Sequence, residues 1–106
     1  MKPRTEPVPA PRPETIRRQI IAFLEQGPAG ARRISTALGI RERAVYQHLE
    51  HVRRSLHRQG QRLVMTPSVC HECGYVFRNR ERLDRPGRCP RCRGTSLSEP
   101  LFEVKE

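Results

Sequence analysis

Four cysteines at the spacing Cys70-x2-Cys73-x15-Cys89-x2-Cys92 restrict the fold of this chain more than any other feature. Two residues between cysteines let both sulfurs of one turn reach a single ion at about 2.3 Å, and a fifteen-residue linker is long enough for a strand pair to bring the second turn opposite the first. The spacing lies in the range of a tetrahedral zinc site. Gly74 follows Cys73, as a knuckle with φ > 0 requires, and Pro90 stiffens the second turn. There Arg93 precedes Gly94, so the glycine is displaced and that half is expected to be less regular. Four thiolates leave no open coordination position. The metal is therefore expected to be structural, its binding energy serving as folding energy.

His71 and Glu72, between the first two cysteines, are expected to point outward as bystanders to the metal. A redox dithiol is disfavoured because two Cys-x-x-Cys units this far apart point to one shared ion. A sensor in which oxidation of Cys70 or Cys92 ejects zinc is a further reading. Residues 70 to 94 hold seven arginines (78, 80, 82, 85, 88, 91 and 93) against Glu72, Glu81 and Asp84. Even with the roughly −2 charge that four thiolates leave on a divalent ion, the segment stays mildly cationic. Most of these arginines are expected to be solvated, with phosphate contacts open to some.

A metal is needed on other grounds. The chain has 106 residues, 35% of them hydrophobic, with three Phe, two Tyr and no Trp, too little apolar volume for a large core. Lys and Arg number 21 against 11 Asp and Glu, and Lys2 and Lys105 are the only lysines. A GC-rich genome accounts for the preference of Arg over Lys as well as function does, but not for the net charge of +10. That charge favours partners rich in phosphate or planar oxygen groups. The N-terminus has no apolar h-region, and no stretch approaches the roughly 20 apolar residues of a membrane span. A cytoplasmic protein with no membrane partner is expected, and cysteines in that reducing compartment favour metal over disulfides.

Residues 1 to 13 contain five prolines and are expected to form a flexible tail without chemistry. From 14 to 26, Ile16, Ile20, Phe23 and Leu24 recur at helical spacing until Gly27-Pro28 stops the run. A second helix is expected over 31–38, ending at Gly39 in a left-handed cap. A third, over about 41–59, carries Val45, Leu49, Val52 and Leu56 as one apolar stripe. A first wing strand is expected at about 61–66, a ribbon at 67–95 with "YVF" as a short strand, and a C-terminal strand in 96–106.

Two helices joined by a tight Gly-containing turn give the helix-turn-helix pattern. Opposite the apolar stripe of helix three lie Arg43, Gln47, Glu50 and Arg54, with Ala44 and His51 beside them. Arg can pair with guanine O6 and N7, Gln with adenine N6 and N7, and Ala can touch a thymine methyl. The candidate DNA-contacting residues are thus Arg41, Arg43, Ala44, Gln47, His51 and Arg54, with Arg43, Ala44 and Gln47 deepest because the N-terminal turn enters the groove. The plainer alternative is a solvated helical face.

The run "RRISTALGIRERAVYQHLEHVRRSL" resembles the helix-turn-helix of prokaryotic winged-helix regulators. It departs at Ser35, where Ala is common, and at Arg41, where Ser or Thr usually caps, a loss of about 1 kcal/mol. From about Glu14 the chain resembles predicted prokaryotic transcriptional regulators that fuse a winged helix-turn-helix to a rubredoxin-like zinc ribbon. That resemblance implies an α+β fold: a three-helix winged helix-turn-helix with a small all-β zinc ribbon inserted in or extending the wing, "LFEVK" returning to pair near "RLVMT". Iron is the rival metal, because "CHECG" and "CPRC" also resemble rubredoxin, whose aromatic, acidic composition is missing here.

The expectation is a transcriptional regulator bound to double-stranded DNA and stabilised by structural zinc. Its rivals are a protein-interaction adaptor docking on RNA polymerase or another protein, and an RNA-binding zinc-ribbon protein. No Gly-rich phosphate loop, carboxylate pair or Ser-His-Asp set appears, so no enzyme is expected. A homodimer stays open.

Overall fold

The computed structural model describes residues 12–78 and 82–106. Of the tail expected over residues 1 to 13, residues 1 to 11 lie outside these, as do Asn79, Arg80 and Glu81. The elements in chain order are α1 (Pro13–Glu25), β1 (Ala29–Gly30), α2 (Ala31–Leu38), α3 (Glu42–Arg58), β2 (Arg62–Thr66) and β3 (Leu101–Lys105).

Pro13, grouped with the tail by composition, instead opens α1. Its missing N–H costs nothing in the first turn, and its fixed φ suits a helix start. α1 buries Ile20 and Leu24, and Phe23 on the same helix lies under the Arg33 guanidinium of α2, 5.4 Å from the ring centre.

Between α2 and α3, Gly39 takes φ 69 and ψ 33, a left-handed conformation that costs a glycine little. Its amide donates to the Ser35 carbonyl at 2.9 Å, and the Ile40 amide donates to the same oxygen at 3.2 Å. The Ser35 hydroxyl donates to the Ile40 carbonyl. Ser35 therefore fastens the turn with a bond that alanine could not make. α3 starts without a side-chain cap at Arg41, whose carbonyl accepts the Val45 amide. Packing compensates, since Val45, Leu49, Val52 and Leu56 are all fully buried against Ile20, Leu24, Ala31 and Ile34.

The sheet has the order β1-β3-β2, all antiparallel. The C-terminal strand thus lies in the middle: Phe102 faces Ala29 on one side and Met65 on the other. Its ring is fully buried in the same cluster as Ala29 and the helix core. β2 and β3 are joined by residues 67–100, which hold all four cysteines.

In that connection the expected all-β ribbon is not built from regular strands among the described residues. "YVF" contributes one isolated bridge, Val69 to Val76, and a second joins Cys70 to Leu97. Turns and side-chain packing do the rest, including Tyr75 set edge-on to Phe77 at 5.0 Å and 89°. Few residues separate successive turns here, so no ladder can lengthen. The connection is anchored by Leu83, only 4% exposed, which joins the buried cluster of the helices.

Candidate metal centre and nucleic-acid face

The four cysteine sulfurs lie within 4.8 Å of one another. Cys70 Sγ is 3.5 Å from Cys92 Sγ, and Cys73 Sγ is 3.6 Å from Cys89 Sγ. Four sulfurs at about 2.3 Å from one ion at tetrahedral angles stand ~3.8 Å apart. The cluster is therefore close to the spacing that one ion would impose, and each of these two contacts pairs one sulfur from each half. Cys70 and Cys89 are buried, Cys73 is half-buried and Cys92 is exposed. A zinc ion held by these four thiolates would be closed to substrate and would supply folding energy.

The two knuckles are equivalent in backbone geometry. The Gly74 amide donates to the Cys70 carbonyl, and the Arg93 amide donates to the Cys89 carbonyl, both at 2.9 Å. Gly74 has φ 79 and Arg93 has φ 63. The second knuckle is therefore as regular as the first, with a non-glycine residue accepting the left-handed strain. Gly94 is not a displaced copy of Gly74. A Cβ there would collide with the Glu72 carboxylate and lie 3.2 Å from Cys92 Sγ, while its amide donates to that sulfur at 3.4 Å.

Glu72 corrects an expectation. It does not simply point away: its Oε2 lies 3.8 Å from Cys92 Sγ and accepts from the thiol. His71 is exposed, and neither residue belongs to the cluster that converges on one point.

The thiols differ in acidity. Burial raises the Cys89 thiol, but the amides of Cys92 and Arg91 outweigh it and bring it down to about 7. The Gly94 amide lowers Cys92, yet Cys70, burial and the other two thiols together push it up to about 12. Neighbouring sulfurs resist the accumulation of negative charge, which a divalent ion relieves.

On α3, Arg43, Gln47, His51 and Arg54 are exposed and Ala44 is half-buried; Arg41 is exposed just before the helix. The exposed side chains project from the side opposite Val45, Leu49, Val52 and Leu56. Glu50 on that side accepts from Arg53 at 2.6 Å. Arg43 and Gln47 also line a groove of about 600 Å³, whose walls are the Glu42, Tyr46 and Glu50 flank of α3 and residues 82–85. Nothing in the cysteine spacing or the helical periodicity points to this groove. Its one legible trace is Leu83, the lone aliphatic side chain between Phe77 and Leu97.

At the α1 face of α3, Arg17 Nε donates to His48 Nδ1 at 3.3 Å. Burial, then Arg17, then His51 lower the pKa of His48, so it stays neutral and can accept.

Two family models match the chain: the N-terminal domain of PF0610-like proteins over residues 15–64 and the PF0610 rubredoxin-like zinc beta-ribbon domain over residues 67–106. The first segment ends within β2 and the second begins just after it, yet they share one sheet, since β3 belongs to the second. The solution NMR structure of protein PF0610 from Pyrococcus furiosus superposes with a TM-score of 0.78 at 24% identity, over 96% of this chain and 99% of that one. This likeness establishes the fold: three helices and a small antiparallel sheet with a zinc ribbon. No curated protein matches the chain. No helix among the described residues is long and apolar enough to cross a membrane.

Proposed function

We propose that this protein is a cytoplasmic transcriptional regulator that binds double-stranded DNA through a winged helix-turn-helix, with α3 in the major groove. α2 and α3 with the Gly39 turn make the helix-turn-helix, β2 and β3 the wing, and the zinc ribbon is an insertion in that wing. The observation that carries this reading is the stripe of Arg43, Gln47, His51 and Arg54 standing exposed opposite four fully buried side chains. These are the residue types that read base edges. Arg41 and ribbon arginines such as Arg82 and Arg85 contact phosphates, which fix register without specifying sequence. The metal is structural, and the protein acts by binding rather than by catalysis.

Filter binding to duplex DNA across a salt series tests this. The logarithm of the affinity falls linearly with the logarithm of salt, by about 0.9 per phosphate neutralised. Absent binding, or binding equally strong at high salt, sinks the proposal. Preference for structured RNA in competition would instead favour the RNA-binding rival.

A further inference from the structure

The groove between α3 and residues 82–85 plays no part in the metal centre, and it holds groups that contacts among the described residues leave unsatisfied. Its volume of about 600 Å³ is that of a small-molecule site, typically roughly 300–1,000 Å³. Two of its charged pairs are already made: Glu50 with Arg53 at 2.6 Å and Asp84 with Arg82 at 2.9 Å. Glu42 on one wall and Arg85 on the other have no ion-pair partner among the described residues, nor has Arg43. Tyr46 Oη is buried near the Arg85 backbone, with no well-formed hydrogen bond among the described residues.

The charge balance discriminates between ligand classes. The lining sets Glu42, Glu50 and Asp84 against Arg43, Arg82 and Arg85, with Leu83 and the Tyr46 ring as its apolar part. A nucleotide seated inside the groove would meet Glu42, whose charge no ion pair among the described residues offsets, and a polycation would meet Arg43 and Arg85. A ligand with one charge of each sign finds a complement at both ends. A guanidinium takes a carboxylate in a two-point fork, and a carboxylate accepts from an ammonium group.

We propose that this groove binds a small zwitterion bearing an α-ammonium and an α-carboxylate, the carboxylate on Arg85 and the ammonium on Glu42. Free amino acids and short peptides share that chemistry. The ligand's polar groups also meet the Tyr46 hydroxyl. Because Arg43 and Gln47 line the same groove, the bound zwitterion competes with DNA for them and acts as an effector. This last step rests on the DNA reading above; the binding step does not.

The test is NMR titration of the zinc-loaded full chain, without DNA, with each of the twenty amino acids and with di- and trialanine. We expect saturable shifts at the amides of residues 42–50 and 82–85 with at least one of these ligands. The N-acetyl and methyl ester forms of that ligand should bind at least tenfold more weakly, as should Glu42→Gln and Arg85→Gln chains whose spectra remain otherwise native. If only amino acids shift these amides, the free metabolite is the ligand; if only peptides do, the ligand is a peptide. No shift at millimolar concentration, or equal binding of the blocked forms, overturns the proposal. If binding holds but DNA affinity does not respond to ligand, the effector step falls and the site stands.

Discussion

Arg17 Nε on α1 donates to Nδ1 of His48 on α3, 31 residues away, at 3.3 Å. The bond requires a neutral His48, because a protonated imidazole has no lone pair at that nitrogen. Burial and the nearby Arg17 and His51 hold its pKa below the ordinary value. The unfolded chain therefore binds more protons than the folded one as pH drops below about 6.5, the ordinary histidine value. The contribution of neutral His48 is complete above that pH and is lost as pH falls towards the depressed folded-state value. Thermal unfolding of the zinc-loaded chain between pH 7.5 and 5 should show this loss. In His48→Gln the slope should be shallower, with the difference between the two chains isolating His48 from any release of metal. Identical slopes would refute it.

Arg93 occupies in the second knuckle the left-handed position that Gly74 occupies in the first. A non-glycine residue there costs about 1–2 kcal/mol, part of which glycine returns through its greater freedom in the unfolded chain. Arg93→Gly should accordingly stabilise the metal-loaded protein by about 0.5–1 kcal/mol in denaturant unfolding. Gly94→Ala, one residue on, should do the opposite, because its Cβ would lie 3.2 Å from Cys92 Sγ, which a bound metal holds in place, whereas the exposed Glu72 carboxylate can swing aside.

The ribbon is tied to the helices through Leu83. Leu83→Ala should cost about 2–4 kcal/mol in chemical denaturation while the chain still binds one equivalent of zinc. The same substitution should also weaken the link between metal and helices: chelation lowers the melting temperature of the helical signal in the wild type, and by less in Leu83→Ala. An undiminished effect of chelation would show that the coupling runs elsewhere.

The cysteine cluster should take up one zinc per chain from mixed metals in a reducing buffer, with Cys70→Ser or Cys89→Ser weakening retention. Because each ligand must lose its proton, metal affinity falls as pH falls. Metal analysis of dialysed protein against pH reads this directly. A chain that kept its fold and its melting temperature after chelation would contradict a structural role.

The parts legible in the sequence are those governed by local rules. Cysteine spacing imposes a metal turn, the recurrence of Val45, Leu49, Val52 and Leu56 at alternating intervals of four and three residues imposes a buried helical stripe, and Gly39 meets a φ that other residues resist. What escaped depends on contacts between distant residues. β1 is two residues long and carries no alternating pattern; it is defined only by its pairing with β3, Ala29 opposite Phe102 and Gly30 opposite Leu101. Leu83 was visible as an isolated apolar residue, but its destination against α3 was not. Arg93 concealed the symmetry of the knuckles, since hydrogen bonding to Cys89 can force a left-handed turn on a residue that would not choose it. The Glu72 contact likewise depends on the second knuckle folding over the first.

The proposed recognition of DNA by α3 can be measured. Its most direct measurement is the dissociation constant of wild-type and Arg43→Ala/Gln47→Ala chains on a duplex selected from random sequence, at fixed salt and with zinc bound. Each base contact contributes about 1–3 kcal/mol of discrimination, so the double variant should bind that duplex at least tenfold more weakly and lose its preference over scrambled DNA. Unchanged affinity and preference in a variant with intact helical content would contradict the claim and favour a protein-interaction adaptor.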